Sequence, residues 1–329
     1  MQPLAIGPVQ LENAVILAPM SGISDAPFRR LAERFGAGLT VSEMVASDRL
    51  VAREAESELK LDRGDAKVFA VQLAGCRAED MAHAAEIAEG AGADIIDINM
   101  GCPAKKVVGG EAGSALMRDV RHAASLIGAT VAAVSVPVSV KMRLGFSADM
   151  RNAPELAALA EAEGVRLITV HGRTRCQRYQ GDADWRAIAE TVAAVSVPVV
   201  ANGDCRSADD ARQMLAASGA AGVMVGRAAV GAPWLPGQIA ATLAGRNVDE
   251  PSAADIAHIA VEHFDRAVAH YGPELGVRLM RKHTKAYGLR SGVPATLLRA
   301  ALTAADRVAA RGALRAAFAS ADAPQQYAA

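Results

Sequence analysis

No apolar stretch in these 329 residues approaches the roughly 18 that a membrane-crossing helix requires, although 51% of the chain is hydrophobic. Much of that content is alanine. Four cysteines, Cys76, Cys102, Cys176 and Cys205, are scattered without a C-x-x-C pair, so neither a zinc site nor a disulfide framework is expected. No Walker or Rossmann fingerprint occurs, which argues against an ATPase or a fold anchored on a dinucleotide. The opening Met1-Gln2-Pro3-Leu4-Ala5-Ile6-Gly7 lacks the basic-then-apolar pattern of a secretory leader. The expectation is a cytoplasmic protein with no membrane, no metal and no stable protein partner implied.

What is present is an alternation. Short β-branched runs recur at 15–20, 39–43, 68–73, 94–100, 138–144, 167–172, 199–203 and 222–226. Amphipathic stretches rich in Ala, Glu and Arg lie between them, as at 78–89, 153–163 and 208–217. Eight strand–helix units predict an α/β fold, a (β/α)8 TIM barrel of parallel strands. The barrel is expected to occupy residues 1–245, with 247–251 as a linker. Beyond it the pattern turns purely helical, at Ala253–Tyr271, 276–288 and 294–319, so 246–329 reads as a small all-helical C-terminal domain.

Chemistry in such barrels gathers at the C-terminal ends of the strands. Read in order, those ends supply Pro19 and Met20, then Glu43, Gln72, Asn99 with Cys102, Lys141 with Arg143, and His171 with Arg173. The seventh gives Asn202, Gly203 and Asp204, and the eighth Gly226 and Arg227. Cys102 is the most informative of these. It follows an apolar run in Asp97-Ile98-Asn99-Met100-Gly101-Cys102-Pro103, and Pro103, lacking an N–H, ends the strand beside it.

The last two loops suggest a phosphate, because barrels often grip one there with backbone N–H groups. The glycines of Ala201-Asn202-Gly203-Asp204 and Val225-Gly226-Arg227 permit close approach, and Arg227 can add a charge-assisted bond. Gln72 and Lys141 would then lie under the far end of a cofactor. An amide and an ammonium suit an isoalloxazine, whose reduced form is anionic. A phosphorylated sugar substrate competes for the same place, and Lys141 could instead be a Schiff-base lysine.

Charge is distributed unevenly. From Tyr271 onward nine Lys/Arg face three acids, a net of +6 that leaves −7 for the rest of a chain whose total is −1. A basic tail on an acidic body suggests an anionic partner, nucleic acid foremost, although a solvated helix surface gives the same count.

Together the motifs resemble the tRNA-dihydrouridine synthases, especially the bacterial B-type branch that includes the nitrogen-regulation-associated proteins. The resemblance rests on Ala18-Pro19-Met20, Asp25-Ala26-Pro27-Phe28-Arg29, Asn99-Met100-Gly101-Cys102-Pro103, Lys105-Lys106-Val107 and Gly113-Ser114-Ala115-Leu116-Met117. It continues through Lys141-Met142-Arg143, His171-Gly172-Arg173-Thr174-Arg175, Asn202-Gly203-Asp204, Gly226-Arg227 and Arg281-Lys282-His283. The stretch Val108-Gly109-Gly110-Glu111 departs from the more basic or polar loop of many relatives. The resemblance implies FMN at the barrel mouth, reduced by NADPH, with hydride passing to C6 of a tRNA uridine while a cysteine protonates C5. It makes Cys102 the general acid, a role open to a thiol because thiols are mostly protonated at neutral pH.

The same resemblance assigns FMN to Pro19, Met20, Gln72, Lys141, His171, Asn202, Gly203, Asp204, Gly226 and Arg227, and the uracil to Asn99, Arg143 and Tyr179. It places tRNA on the tail, with Arg281, Lys282, His283 and Lys285 as contacts, and by analogy selects D-loop position 17. Two other readings stand beside it: a flavin barrel reducing a free pyrimidine, and a non-catalytic RNA-binding regulator. Cys76 and the histidines at 83, 122, 258, 263 and 270 read as packing or surface residues, and Trp185 as packing.

Overall fold

The computed structural model describes residues 3–322. Eight parallel strands curl into a barrel, and their alternation decides what each face does. Outward-facing Leu17, Val71, Leu73, Ile96, Ile98, Val140, Val170 and Val225 are buried against the surrounding helices in one large apolar cluster. Inward-facing positions change character along the axis. Ile16, Leu39, Ala70, Ile95, Leu167, Val200 and Met224 form an apolar layer at the N-terminal end. An antiparallel hairpin, Ala5–Ile6 with Val9–Gln10, plugs that end, and Leu4, Ile6 and Leu11 join the layer. On five of the strands the next inward side chains are Gln72, Asp97, Ser139, Thr169 and Asn202, all buried. An apolar floor therefore carries a polar upper storey.

The strands are Val15–Leu17, Ala70–Ala74, Ile95–Met100, Val138–Arg143, Leu167–His171, Val199–Asn202 and Gly222–Val225, with a second strand that is broken. Its first piece, Leu39–Thr40, pairs with Ile16 and Leu17; its second, Val45–Ala46, pairs with Leu73 and Ala74. A single bridge, Val41 to Ala70, carries the closure between them. The break puts Glu43 in a buried turn rather than at a strand end, where its carboxylate accepts the Gly22 N–H.

The helix Leu235–Leu243 completes the last unit, and four further helices follow. Ala253–Tyr271 opens with a capping box of Ser252 and Asp255, and Pro273 starts Pro273–Arg290 at a position that needs no N–H. These two pack against each other. A Cβ at Gly276 would lie 2.7 Å from Val268 Cα, so only glycine allows the backbones so close. The single helix expected over 294–319 is two, Ala295–Thr303 and Arg307–Asp322. Asp306 divides them: its carboxylate accepts the N–H groups of Val308 and Ala309, each at 2.9 Å, and so starts a new helix. Among the described residues no helix is long and apolar enough to cross a membrane.

The tail is seated on the first barrel helix, Ala26–Arg34. Phe28 lies against both the His263 and His283 rings, with centroids 5.6 and 5.5 Å away, and Arg34 pairs with Glu262. His283 is 1% exposed. The expectation that it touches RNA is therefore corrected: its ring is part of the seam between tail and barrel. Flanking basic residues misled the reading, because on a helix Arg281 and Lys282 point elsewhere than residue 283 does.

Candidate active site at the barrel mouth

Cys102 ends the fourth barrel strand on a loop fixed from three sides. Its N–H and that of Gly101 donate to Asn99 Oδ1 at 2.9 and 3.1 Å. Its carbonyl accepts from Ser114 Oγ and N at 2.8 and 3.1 Å. Arg143 Nε holds the Gly101 carbonyl at 2.7 Å. All these bonds restrain the backbone, and the thiol itself takes part in none of them.

Beneath the loop lies a connected polar layer. Asp97, fully buried, accepts from Ser139 Oγ at 2.7 Å and from Gln72 Nε2 at 2.6 Å. Gln72 Oε1 accepts from Asn99 Nδ2 at 2.7 Å. Burial pushes the Asp97 carboxyl up to about 6, against the pull of those hydrogen bonds and of Lys141. Lys141 sits opposite Asn99 in the strand register, and its Nζ donates to Asn202 Oδ1 at 3.1 Å. Asn202 in turn donates to the Met224 carbonyl at 2.8 Å. Burial, helped by Arg143, lowers the Lys141 ammonium to about 8.

His171 faces Arg143 across the next pair of strands. Burial, then the charges of Lys141, Arg143, Arg173 and Arg227, hold its imidazole well below its ordinary value, so it is neutral. Arg173 Nη1 approaches its Nε2 at 3.3 Å, and a guanidinium only donates, so the ring hydrogen resides on Nδ1. Asp204 anchors this cationic group, accepting from Arg173, from Arg227 at 3.3 Å and from the Ala183 N–H at 2.9 Å. Gly203, at φ +116°, lies so near His171 that a Cβ would meet its Cδ2 at 2.8 Å. Tyr179, 53% exposed, lies under the Arg227 and Arg143 guanidinium groups at 4.6 and 5.6 Å.

The structure thus brings Gln72, Asn99, Cys102, Lys141, Arg143, His171, Tyr179, Asn202, Gly203, Asp204 and Arg227 to one mouth. Pro19, Met20 and Gly226 lie at the ends of the first and eighth strands beside it. The polar groups of Arg143 and Asp204 are partly engaged within the protein. Arg143 gives Nε and Nη1 to the carbonyls of Gly101, Thr174 and Arg178 and keeps Nη2, and the Asp204 carboxylate is taken up by arginines and the Ala183 N–H. From the tail, Lys282 Nζ lies 3.1 Å from where a Gly22 Cβ would be, above the first strand's loop, and has no acceptor among the described residues. Lys285 is exposed, and Arg281 reaches the Ala304 carbonyl at 3.4 Å.

Sequence reasoning missed Asp97 as a site residue. It lies two positions before Asn99 on the same strand, and the period of two would have placed it on the same inner face. Trp185, read as packing, donates its Nε1–H to the Gly203 carbonyl at 2.8 Å and so fixes the seventh loop.

Fold and site together define a (β/α)8 barrel with a thiol poised over a buried cationic mouth and a basic helical tail reaching that mouth. The chain belongs to the dihydrouridine synthase (Dus) family, whose model matches residues 16–321. A probable tRNA-dihydrouridine synthase of Rhodobacter capsulatus is 51% identical over 321 residues, covering 96% of this chain and 98% of that protein. Another, from Rhizobium leguminosarum bv. phaseoli, is 54% identical over 84% of this chain and 85% of its own. tRNA-dihydrouridine synthase B of Pseudomonas syringae pv. tomato is 45% identical over 87% and 86%. Among solved structures, histamine dehydrogenase from Rhizobium sp. 4-9 shares the fold with a TM-score of 0.58 at 15% identity, over 80% of this chain. A 6-hydroxypseudooxynicotine amine oxidase from Pseudomonas geniculata N1 does so with 0.59 at 15%, over 74%. The chain spans about half the length of those two proteins, 50% and 49%.

Proposed function

We propose that the chain is a cytoplasmic, flavin-dependent tRNA-dihydrouridine synthase, with residues 1–245 as the FMN-binding catalytic barrel and 246–329 as the tRNA-binding domain. One observation carries this reading: the unencumbered Cys102 thiol shares a mouth with half-buried Lys141, neutral His171 and the Arg173–Asp204–Arg227 group. The donor set fits FMN. Lys141 is a half-buried ammonium with no ion-pair partner among the described residues, and Gly226 leaves open space where an added Cβ would meet only Ala18 Cβ, 3.9 Å away. Pro19, Met20, Gln72, Lys141, His171, Asn202, Gly203, Gly226 and Arg227 would hold it, Asp204 serving by fixing Arg227. When bound and reduced by transient NADPH, FMN supplies the hydride for C6 of the uracil.

Everything else falls to the chain. Lys141 favours negative charge at the ring, and the imidazole of His171, with its Nδ1–H and no added charge, donates without competing for the anion. Cys102 gives its proton to C5. Tyr179 offers a face for the uracil, backed by two guanidinium groups, and Asn99 and Arg143 hold the thiol's loop beside it. The base must leave its stack to arrive there, which costs least in a single-stranded loop. By analogy with the B-type branch that loop is the D-loop, at position 17.

The test follows the flavin spectrum of the anaerobically reduced protein after mixing with tRNA lacking dihydrouridine, free uridine, orotate or buffer. Fast reoxidation by tRNA alone is expected, and sequencing that RNA locates the base. Reoxidation by a free pyrimidine would move the protein to the small-molecule reductases. Failure to bind FMN would sink the cofactor assignment.

A further inference from the structure

We propose that Asp97 is a positioning residue: through one directed chain of hydrogen bonds it sets the orientation of the Gln72 and Asn99 amides and thereby the seat of the Cys102 loop. The proposal deepens the reading above and rests on it for its catalytic meaning, but the chain of bonds is a property of the folded protein alone.

A carboxylate only accepts. Asp97 has one oxygen filled by Ser139 Oγ, so the oxygen facing Gln72 must meet an N–H, and Gln72 turns its Nε2 toward it. Gln72 Oε1 then points the other way, where only a donor satisfies it, and Asn99 answers with Nδ2. That leaves Asn99 Oδ1 facing the N–H groups of Gly101 and Cys102. A flip of either amide alone sets oxygen against oxygen or N–H against N–H at both of its own links, so relief would require the neighbour to turn as well. Gln72, Asp97 and Asn99 are 1%, 4% and 8% exposed, so water offers little relief from such a mismatch.

One consequence concerns what the mouth presents. Asn99 Oδ1 is saturated by two N–H groups, while Gln72 Nε2 and Asn99 Nδ2 each keep one hydrogen free. What the two amides have left to offer is therefore donors. Ring carbonyl oxygens and unprotonated ring nitrogens are what they recognise.

The polarity of the chain can be reversed without changing its shape. In Gln72→Glu a second carboxyl meets that of Asp97; near neutrality the two would share a proton, and once both are ionised the link breaks. In the pair Asp97→Asn with Gln72→Glu, the new amide donates to the new carboxylate, whose second oxygen still accepts from Asn99 Nδ2, and Ser139 keeps an acceptor. Asp97→Asn alone also preserves the direction, because the Ser139 hydroxyl can rotate to accept. The measurement is the rate of Cys102 alkylation by iodoacetamide at pH 9.5, where both carboxyls are ionised, in the full chain without cofactor, read at the Cys102 peptide by mass spectrometry and compared with the parent at the same pH. Gln72→Glu is expected to raise that rate by about fivefold, the worth of one net hydrogen bond, and the pair to return it to within about twofold of the parent. A pair as reactive as Gln72→Glu alone overturns the proposal, as does a parent-like rate in Gln72→Glu. Where Gln72→Glu fails to fold, recovery of the thermal transition in the pair supports the proposal, and its absence overturns it. No cofactor enters this test, so a failed flavin assignment would show only in the spectral experiment above.

Discussion

At the scale of single residues, Cys102 and Lys141 are separable. The backbone of Cys102 carries all of its hydrogen bonds, so Cys102→Ala removes a proton source and leaves the loop in place. Product formation should fall by about 10²–10⁴-fold, the usual worth of a positioned general acid. FMN content and tRNA affinity should stay at parent values by absorbance and filter binding, and dihydrouridine at the parent rate would remove the acid role from Cys102. Lys141 makes a pH prediction. Its folded value, about 8, lies below the 10.5 of an unburied lysine. Between those values the unfolded chain binds more protons than the folded one, so this group makes the apoprotein gain stability as pH rises through that window. An anion beside Nζ reverses the shift. Binding of reduced FMN, whose ring is anionic, should therefore take up protons at pH 9 under anaerobic conditions, whereas at pH 6.5, where the ammonium is already charged, uptake at this group should vanish. Calorimetry in buffers of different ionisation enthalpy reads this, and Lys141→Met should abolish the uptake.

At the scale of elements, the legibility of the sequence followed the physics of each segment. Strands flanked by amphipathic helices were readable because their outward faces are continuous apolar runs, and polar residues at strand ends marked the mouth. The broken second strand was not readable, since its closure depends on Val41 pairing with Ala70, a distant partner. Asp97 was missed because an inward polar residue inside an otherwise apolar strand looks like noise until the barrel closes around it. His283 misled for the converse reason: its basic neighbours suggested a surface, while its own face was committed to Phe28 and His263. The helix pair Ala253–Tyr271 and Pro273–Arg290 shows a further constraint, legible only in three dimensions. Gly276→Ala would place a Cβ against Val268 Cα and the Ala267 carbonyl at 2.7 and 2.8 Å, both rigid backbone. Overpacking of this kind should destabilise the chain by about 1–3 kcal/mol, measured by urea unfolding. Gly312→Ala, a helical site where an added Cβ meets nothing within 4 Å, should be neutral or stabilising.

At the scale of the whole molecule, the charge asymmetry acquires a direction. The basic tail is not a detached clamp, because its Lys282 ammonium comes to the loop after the first barrel strand, beside the same mouth as Cys102. Asp25 and Glu43 lie behind that loop. Burial and the neighbouring Glu43 raise the Asp25 carboxyl to about 6, while Lys282 pulls the other way. Lys282 therefore has two available uses: neutralising these carboxylates, or holding a substrate phosphate as the nucleotide enters. Salt dependence separates them. If Lys282 binds phosphate, Lys282→Met weakens tRNA binding across sequences and lowers the slope of log K against log[salt] by about one contact's worth, 0.7 to 0.9. FMN affinity and the unfolding midpoint would then stay at parent values. If it serves the carboxylates instead, the slope holds and the midpoint falls. The ammonium has no acceptor among the described residues and is exposed, whereas both carboxylates already have donors of their own, the Phe28 N–H for Asp25 and the Gly22 N–H for Glu43. The expected outcome is accordingly the smaller salt slope with an unchanged midpoint, and Lys285→Met, at an exposed position one turn further along the same helix, should give a smaller loss of tRNA affinity than Lys282→Met.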